Sequence, residues 1–466
     1  MIHNRKNSLI ARGFSFFTSI KKDWIRKNKR KKVKLTGEVG MNKKLKIISG
    51  VLALTSAIGI AGCSCAMEDA NAIKLTVWVS EADKTFAQEV VKDFKAKNPE
   101  KNYQIVIDIQ GENDVATRVL NDVENAADVY SFVNDQVPKL INGDALARIA
   151  GDRLTRVTEA NTAESMQSVT IETNGEKAVY GMPYTDNTFF LYYNKAALTD
   201  TDVKTFDGIL AKCSENKQFA FPMADGWYTT AFYFGKGLGY NVSYDNNLAE
   251  TKVECDFDNE LGVKVTEAMW GYVQNKGFKA DANDSKITAG FSDGSIIAAV
   301  SGIWNRNAIE KALKDNFAAV KLPTYTLNGE GDAGEQVQLT SFSGYKAMGV
   351  NNYSKHKTDA LDFAEFYTNR ENQIKHYEAR GFVPTDTEAR KNEKIQADVC
   401  AKAITEQLKY SKIQINVPST LWIPMEGLGS AMITGAQSGS FDLQAQLKAC
   451  VDAIKKTTKN TSSDNM

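Results

Sequence analysis

At 466 residues the chain exceeds the size at which one hydrophobic core normally keeps growing, so two globular units are expected. Its 57 basic and 57 acidic side chains cancel only in sum: residues 1–40 carry a net +10 and residues 64–466 a net −13. An acidic body argues against nucleic acid as a partner, because binding a phosphate backbone needs a basic surface.

The basic N-terminus reads as targeting. From Met41 a short Lys-rich start precedes an apolar run, Ile47 to Ile60, that is shorter than the ~20 residues a spanning helix needs. It ends in Ile60-Ala61-Gly62-Cys63, which resembles a bacterial lipoprotein signal with cleavage before Cys63 and lipidation of its sulfur. Forty residues ahead of such a signal would bury it, so Met41 is the expected start and residues 1–62 an upstream extension plus signal peptide. Residues 63–72 then form a lipidated tether of roughly 30 Å. The other cysteines, Cys65, Cys213, Cys255, Cys400 and Cys450, are scattered without CxxC spacing. Neither a disulfide framework nor a zinc site is indicated, and buried free thiols are expected.

Ile73 to Val79 reads as a first strand, and Phe86, Val90, Val91 and Phe94 mark a helix stopped by Asn98-Pro99. Tyr103 to Ile109 alternates as a second strand, and Val115, Val119, Leu120 and Val123 mark a second helix. Asp128 to Phe132 is a third strand, followed by a helix from Val137. This βαβαβα order within about 70 residues predicts an open parallel sheet, with ligands beyond the carboxyl ends of its strands. Those ends carry Ser80 to Lys84 and Val133 to Gln136, both polar and without a Gly-rich phosphate loop.

Pro183 to Lys195 organises the rest. It passes from Thr185-Asp186-Asn187-Thr188 into the apolar run Phe189 to Tyr193, as a hinge strand between two units would. Beyond it, Asp225-Gly226-Trp227-Tyr228 reads as a turn, and Ser295 to Val300 as a buried strand leading to Ile303-Trp304-Asn305. Ser343 to Val350 is another strand and Asp359 to Tyr367 a helix. Ser419 to Met425 holds a loop-like Trp422, and two helical patterns, Leu428 to Thr434 and Leu443 to Ile454, precede a polar tail.

Trp227, Tyr228, Trp304 and Trp422 thus fall outside helical periodicity, while Glu81, Lys84, Asp135 and Asn187 sit at strand ends or in the crossover. Aromatic faces stack on the C–H faces of pyranose rings. Carboxylates and amides pair with sugar hydroxyls and reject analogues that lack them. Together they describe a carbohydrate cleft.

With its lipoprotein signal, the chain resembles the maltose/maltodextrin-binding proteins, extracellular solute receptors of ABC importers. The resemblance covers about residues 73–457 and rests on Lys74 to Trp78, Asp128 to Gln136, Gly181 to Lys195 and Asp293 to Trp304, in that order and spacing. It implies an α/β fold of the two-lobed periplasmic-binding-protein type (class II), with a hinge crossed by three segments. The N-terminal lobe would be 73–184 plus 341–383, the C-terminal lobe 188–337 plus 388–457, and 458–466 a flexible tail. Carried over residue by residue, Phe132 would line the cleft and Asp135 would accept a hydroxyl. Gln136 replaces a frequent Arg, and Asn187 replaces an acid. Asp225, Trp227 and Tyr228 would form the platform of the second lobe, Trp304 and Trp422 would complete the stacking, and Glu81 and Lys84 would be the polar pair after the first strand. The implied protein is a monomer without cofactor or metal, lipid-anchored outside the cytoplasmic membrane. It would pass a maltooligosaccharide to ABC permease subunits.

Two rival classes fit parts of the pattern. A secreted glycosidase needs two carboxyls flanking one bond, but Asp135 and Asp225 would lie on opposite lobes. A ferric-ion receptor uses adjacent tyrosines such as Tyr192-Tyr193, which here fall inside an apolar strand.

Overall fold

The computed structural model describes residues 71–173, 175–245, 248–327 and 334–457. Cys63, Cys65, the signal segment and the polar tail after Thr457 lie outside them. Two β-sheets organise the chain. In the first, Tyr103–Ile109, Ile73–Val79 and Val129–Val133 run parallel, and the long strand Ser341–Val350 runs antiparallel beside Val129–Val133. Met182–Asn187 flanks Ser341–Val350 on its other edge. In the second sheet Phe189–Asn194 lies between Ile296–Gly302 and Phe317–Val320, antiparallel to both, and Gln218–Ala220 and Phe278–Lys279 continue it.

The segment 182–194 therefore belongs to both sheets. Asn187 pairs with Gly344 in the first and Phe189 with Gly302 in the second, leaving Thr188 alone between them. The buried Thr188 hydroxyl lies 2.9 Å from Ser341 Oγ and donates to the Phe342 carbonyl at 2.7 Å, which fastens this crossover to the next one. A third crossover runs alongside: Asp186 N donates to Val383 O at 3.0 Å.

The apolar run has a simple physical reason. Phe189, Leu191 and Tyr193 face one core of the second sheet, while Phe190 and Tyr192 face the core on its other side. A strand covered on both faces needs apolar residues at every position. The adjacent tyrosines are thereby separated, Tyr192 donating to Gly302 O at 3.1 Å and Tyr193 to Asp200 Oδ1 at 2.7 Å. The first sheet has its own core, built on Leu75, Val77, Tyr130, Phe132 and Met348 with Phe86 and Phe94 from the first helix.

One stretch departs from the expected lobe assignment. Ser411–Ile413, inside the part given to the C-terminal lobe, pairs with Ser341–Ser343 at the hinge end of the first sheet. The chain then returns to the second lobe, where helix Trp422–Ser438 packs on helix Gly226–Gly235. Cys255, Cys400 and Cys450 are buried free thiols and Cys213 a half-buried one.

Candidate functional site

The aromatic residues expected in loops are held by helical turns. Trp227 and Tyr228 occupy the first turn of Gly226–Gly235, capped by Asp225, whose Oδ1 accepts from Trp227 N at 2.9 Å. Trp422 is the first residue of helix Trp422–Ser438, and Trp304 lies in the 3₁₀ turn Ile303–Asn305. The missing periodicity reflects their position: a first-turn side chain can leave the core without breaking the pattern of the helix behind it. Gly226 allows the two helix starts to meet, since a Cβ there would stand 2.7 Å from Met425 Cβ.

Trp227 and Trp304 come together, with ring centres 5.8 Å apart and planes at 44°. Both are half-buried. Trp227 leans edge-on against Phe189 at 4.7 Å, and its Nε1 donates to Gln414 Oε1 at 2.8 Å. Trp304 lies over the backbone of Gly302, and its Nε1 donates to Asp284 Oδ1 at 3.0 Å. Asn305 Nδ2 donates to the same oxygen at 2.7 Å. Trp422 stands apart, edge-on to Phe342 at 5.6 Å.

The acids gather around these rings. Asp225 is exposed as a residue, but partial desolvation of its carboxyl raises the pKa, and the nearby charges of Glu426 and Asp284 add to the shift. From the first lobe, burial pushes Asp135 up to about 6, against the opposing pull of a Gln414 side-chain hydrogen bond and of backbone N–H groups. Asn187 and Gln414 both adjoin Gly344. One lobe thus supplies two mutually tilted indoles and two acids, the other an acid and an amide, and Gln414 lies between.

Several expectations need correction. Phe132 does not line the site: it is fully buried in the first lobe's core, where Gly181 and Gly349 make room for its ring. As the fourth residue of a five-residue strand buried along its whole length, it has no face left to expose. Tyr228 is also buried, packed at 4.7 Å on Phe189 with its hydroxyl bonded to Ser301, so it supports the platform from below. Gln136 is occupied structurally: its Oε1 accepts from Ala116 N at 2.8 Å and its Nε2 donates to Glu112 O at 2.6 Å. Glu81 is exposed and Lys84 half-buried. Between them the buried Asp83 accepts from Ser80 Oγ (2.9 Å), Arg380 Nε (3.0 Å) and His376 Nε2 (3.2 Å). Asp284 and Gln414 were not foreseen. Neither has a local sequence signal, since each acquires its role from a tryptophan distant in the chain.

Two α/β lobes joined by adjacent crossovers, with aromatic and acidic groups where they meet, define a two-lobed ligand-capturing protein. The chain belongs to the bacterial extracellular solute-binding protein family, whose model matches residues 89–403. It is 29% identical over 420 residues to the maltodextrin-binding protein MdxE of Bacillus subtilis, covering 86% of this chain and 95% of that one. The galactooligosaccharide-binding protein of the same organism is 24% identical, over 88% and 96%. Among solved structures, a complex with acarbose is 29% identical with a TM-score of 0.73, covering 82% of this chain and 98% of the other. The ligand-free maltodextrin-binding protein MalE1 of L. casei BL23 shares the fold at 24% identity and a TM-score of 0.69, over 83% and 100%.

Proposed function

We propose that this chain is a non-catalytic receptor that captures maltooligosaccharides between its lobes, closes on them about the crossovers, and delivers them to an ABC permease. The observation that carries this reading is the pair Trp227 and Trp304. Each indole has its only N–H engaged by the protein, so what it offers a ligand is its apolar face. Asp135, Asp225, Asn187, Trp422, Glu81 and Lys84 are assigned to the same cleft. The maltodextrin-binding relative and the acarbose complex, each 29% identical, favour an α-linked glucan. The galactooligosaccharide-binding relative makes β-galactosides the control ligand.

Isothermal titration against maltose, maltotriose, maltopentaose, glucose and a galactooligosaccharide tests this assignment. Saturable binding of the α-glucans alone is expected; binding of the galactooligosaccharide alone overturns it. Chromatography of a maltooligosaccharide mixture incubated with protein at catalytic concentration should show no shortening. For the anchor, Cys63→Ala should release the protein from cells into the medium and abolish incorporation of a labelled fatty acid. Retention of the variant on the membrane would sink the lipid tether.

A further inference from the structure

Asp284 opens the helix Asp284–Asp293 but does not cap it: Asn283 does, its Oδ1 accepting from Lys286 N at 2.9 Å. An acid in a first helical turn needs no ligand to explain it, since the helix dipole favours it there. What sets Asp284 apart is where its carboxyl turns. Its Oδ1 takes two donors from the turn that holds Trp304, the indole Nε1 at 3.0 Å and Asn305 Nδ2 at 2.7 Å. Asn305 is buried and also donates to Ser301 Oγ at 2.9 Å, which anchors that side of the contact. The two lysines nearest in sequence are committed elsewhere: Lys286 Nζ and Lys279 Nζ donate to the carboxyl of Asp281, at 2.6 and 3.1 Å. Asp284 is exposed, and among the described residues no cation pairs with its carboxyl and no donor reaches Oδ2. Half of the acceptor capacity of this carboxylate is therefore unspent.

We propose that Asp284 divides its carboxylate between two tasks: Oδ1 sets the Trp304 ring, and Oδ2 accepts a hydroxyl of the sugar lying on that ring. The proposal rests on the reading of the site as a sugar cleft and makes Asp284 a specificity-determining residue of it. An indole N–H lies in the plane of its ring, so the carboxyl sits at the edge of Trp304 and covers neither face. A pyranose on the ring carries its equatorial hydroxyls around its own rim, and the one above the N–H edge falls beside Oδ2. An ionised oxygen with no competing donor takes that hydroxyl in a charge-assisted bond. A sugar lacking the hydroxyl would desolvate the carboxylate without replacing its partner, a penalty larger than a lost contact. The ring thus gives affinity for pyranoses in general, and the acid requires a hydroxyl at one position.

Asp284→Asn separates the two tasks. Trp304 offers only a donor, so the new amide must turn its oxygen inward and its NH₂ toward the ligand. The ¹H–¹⁵N signal of the Trp304 indole, assigned by its loss in Trp304→Phe, should stay near its native position. Maltotriose affinity should nevertheless fall about fivefold, because the outward bond has lost its charge. In Asp284→Ala the indole signal should move and affinity should fall about tenfold or more. Maltotriose analogues, each lacking one hydroxyl, identify the partner. One of them should bind the unaltered protein about tenfold more weakly than maltotriose, yet bind Asp284→Ala no more weakly than maltotriose does. If every analogue keeps its full penalty in Asp284→Ala, the acid only holds the ring and the proposal fails. Unchanged maltotriose affinity in Asp284→Asn overturns it too, as does an indole signal displaced there as far as in Asp284→Ala. Should Asp284→Ala not fold, Asp284→Asn decides: the penalty of that analogue should shrink, and a penalty left whole rejects the contact. Failure of the unaltered protein to bind maltotriose is seen before any variant is compared, and rejects the sugar reading and this role with it.

Discussion

Trp227 and Trp304 hold their rings 5.8 Å apart at 44°, with each indole N–H spent on a different protein acceptor, Gln414 and Asp284. The two rings form an angled surface whose orientation is set by hydrogen bonds at its outer edges. Such a surface is organised before any ligand arrives, which spares the ordering cost of binding. Removing either ring should therefore weaken binding directly. Trp227→Ala and Trp304→Ala are each expected to cost about 1–3 kcal/mol of ligand affinity, by analogy with stacking on other aromatic platforms. Titration calorimetry at fixed pH measures this, and unchanged affinity in both variants would remove the rings from the site.

The backbone beneath Trp304 offers a subtler test. Gly302 ends the strand Ile296–Gly302 in an extended conformation, and a Cβ on it would fall 2.0 Å from two ring carbons of Trp304. Backbone conformation does not demand glycine here; the ring does. Gly302→Ala should push the indole off its seat and break its bond to Asp284. The loss of affinity should approach that of Trp304→Ala, within the same range of about 1–3 kcal/mol, while the ring itself remains. Quenching of Trp304 fluorescence by acrylamide should rise in parallel; an unaltered ring environment would contradict the seat.

How far the sequence carried this picture depended on the range of the signal. The first sheet was legible because its strands and helices alternate with clear periods, and the crossover because Thr185 to Thr188 are polar beside Phe189 to Tyr193. Trp227 and Trp304 were legible as non-periodic aromatics, although helix turns hold them. Phe132 misled, since an aromatic near the carboxyl end of a strand reads the same whether its ring turns toward the ligand or the core. Only Gly181 and Gly349, distant in sequence, decide that it turns inward. Gln414 was invisible because its partners lie 187 residues away at Trp227 and 280 away at Asn134.

Asp135 carries a conflict between stability and binding. Burial raises its folded pKa to about 6, above the usual 3.9 of an unfolded aspartate. A raised carboxyl pKa means the folded state holds its proton more tightly, so ionisation at neutral pH works against folding. Asp135→Asn should then raise the thermal midpoint above pH 6. That advantage should shrink between pH 6 and 4, as the folded native protein takes up its proton, and disappear below pH 4. The same variant should bind sugar more weakly at pH 7, having lost an anionic acceptor. Thermal scans across pH, paired with titrations, check both halves, and a variant less stable at pH 7 would contradict the burial argument.

Asp83 shows the opposite sign. Its burial alone would raise the pKa, but the His376 hydrogen bond and charge, with the charges of Lys346 and Arg380, hold the carboxyl well below the usual range. The carboxylate needs donors, so His376 presents its Nε2–H, leaving Nδ1 buried and without a partner. Phe382 stacks on the imidazole at 5.6 Å, and Phe86 and Tyr184 pack against it at 4.9 and 5.3 Å. A depressed folded pKa contributes stability above the unfolded value, and that stability fades as pH falls through the folded one. Urea unfolding of Asp83→Asn at pH 7 should show a loss of about 3–5 kcal/mol, the cost of leaving the half-buried Arg380 guanidinium and the buried His376 N–H without their anionic acceptor. Between pH 4 and pH 2 the gap between variant and native protein should narrow, because only the native protein has a charge to lose there. Other carboxylates titrate in the same window but contribute equally to both, so the difference isolates Asp83. A gap that stays constant down to pH 2 would show that packing, rather than charge, holds Asp83 in place.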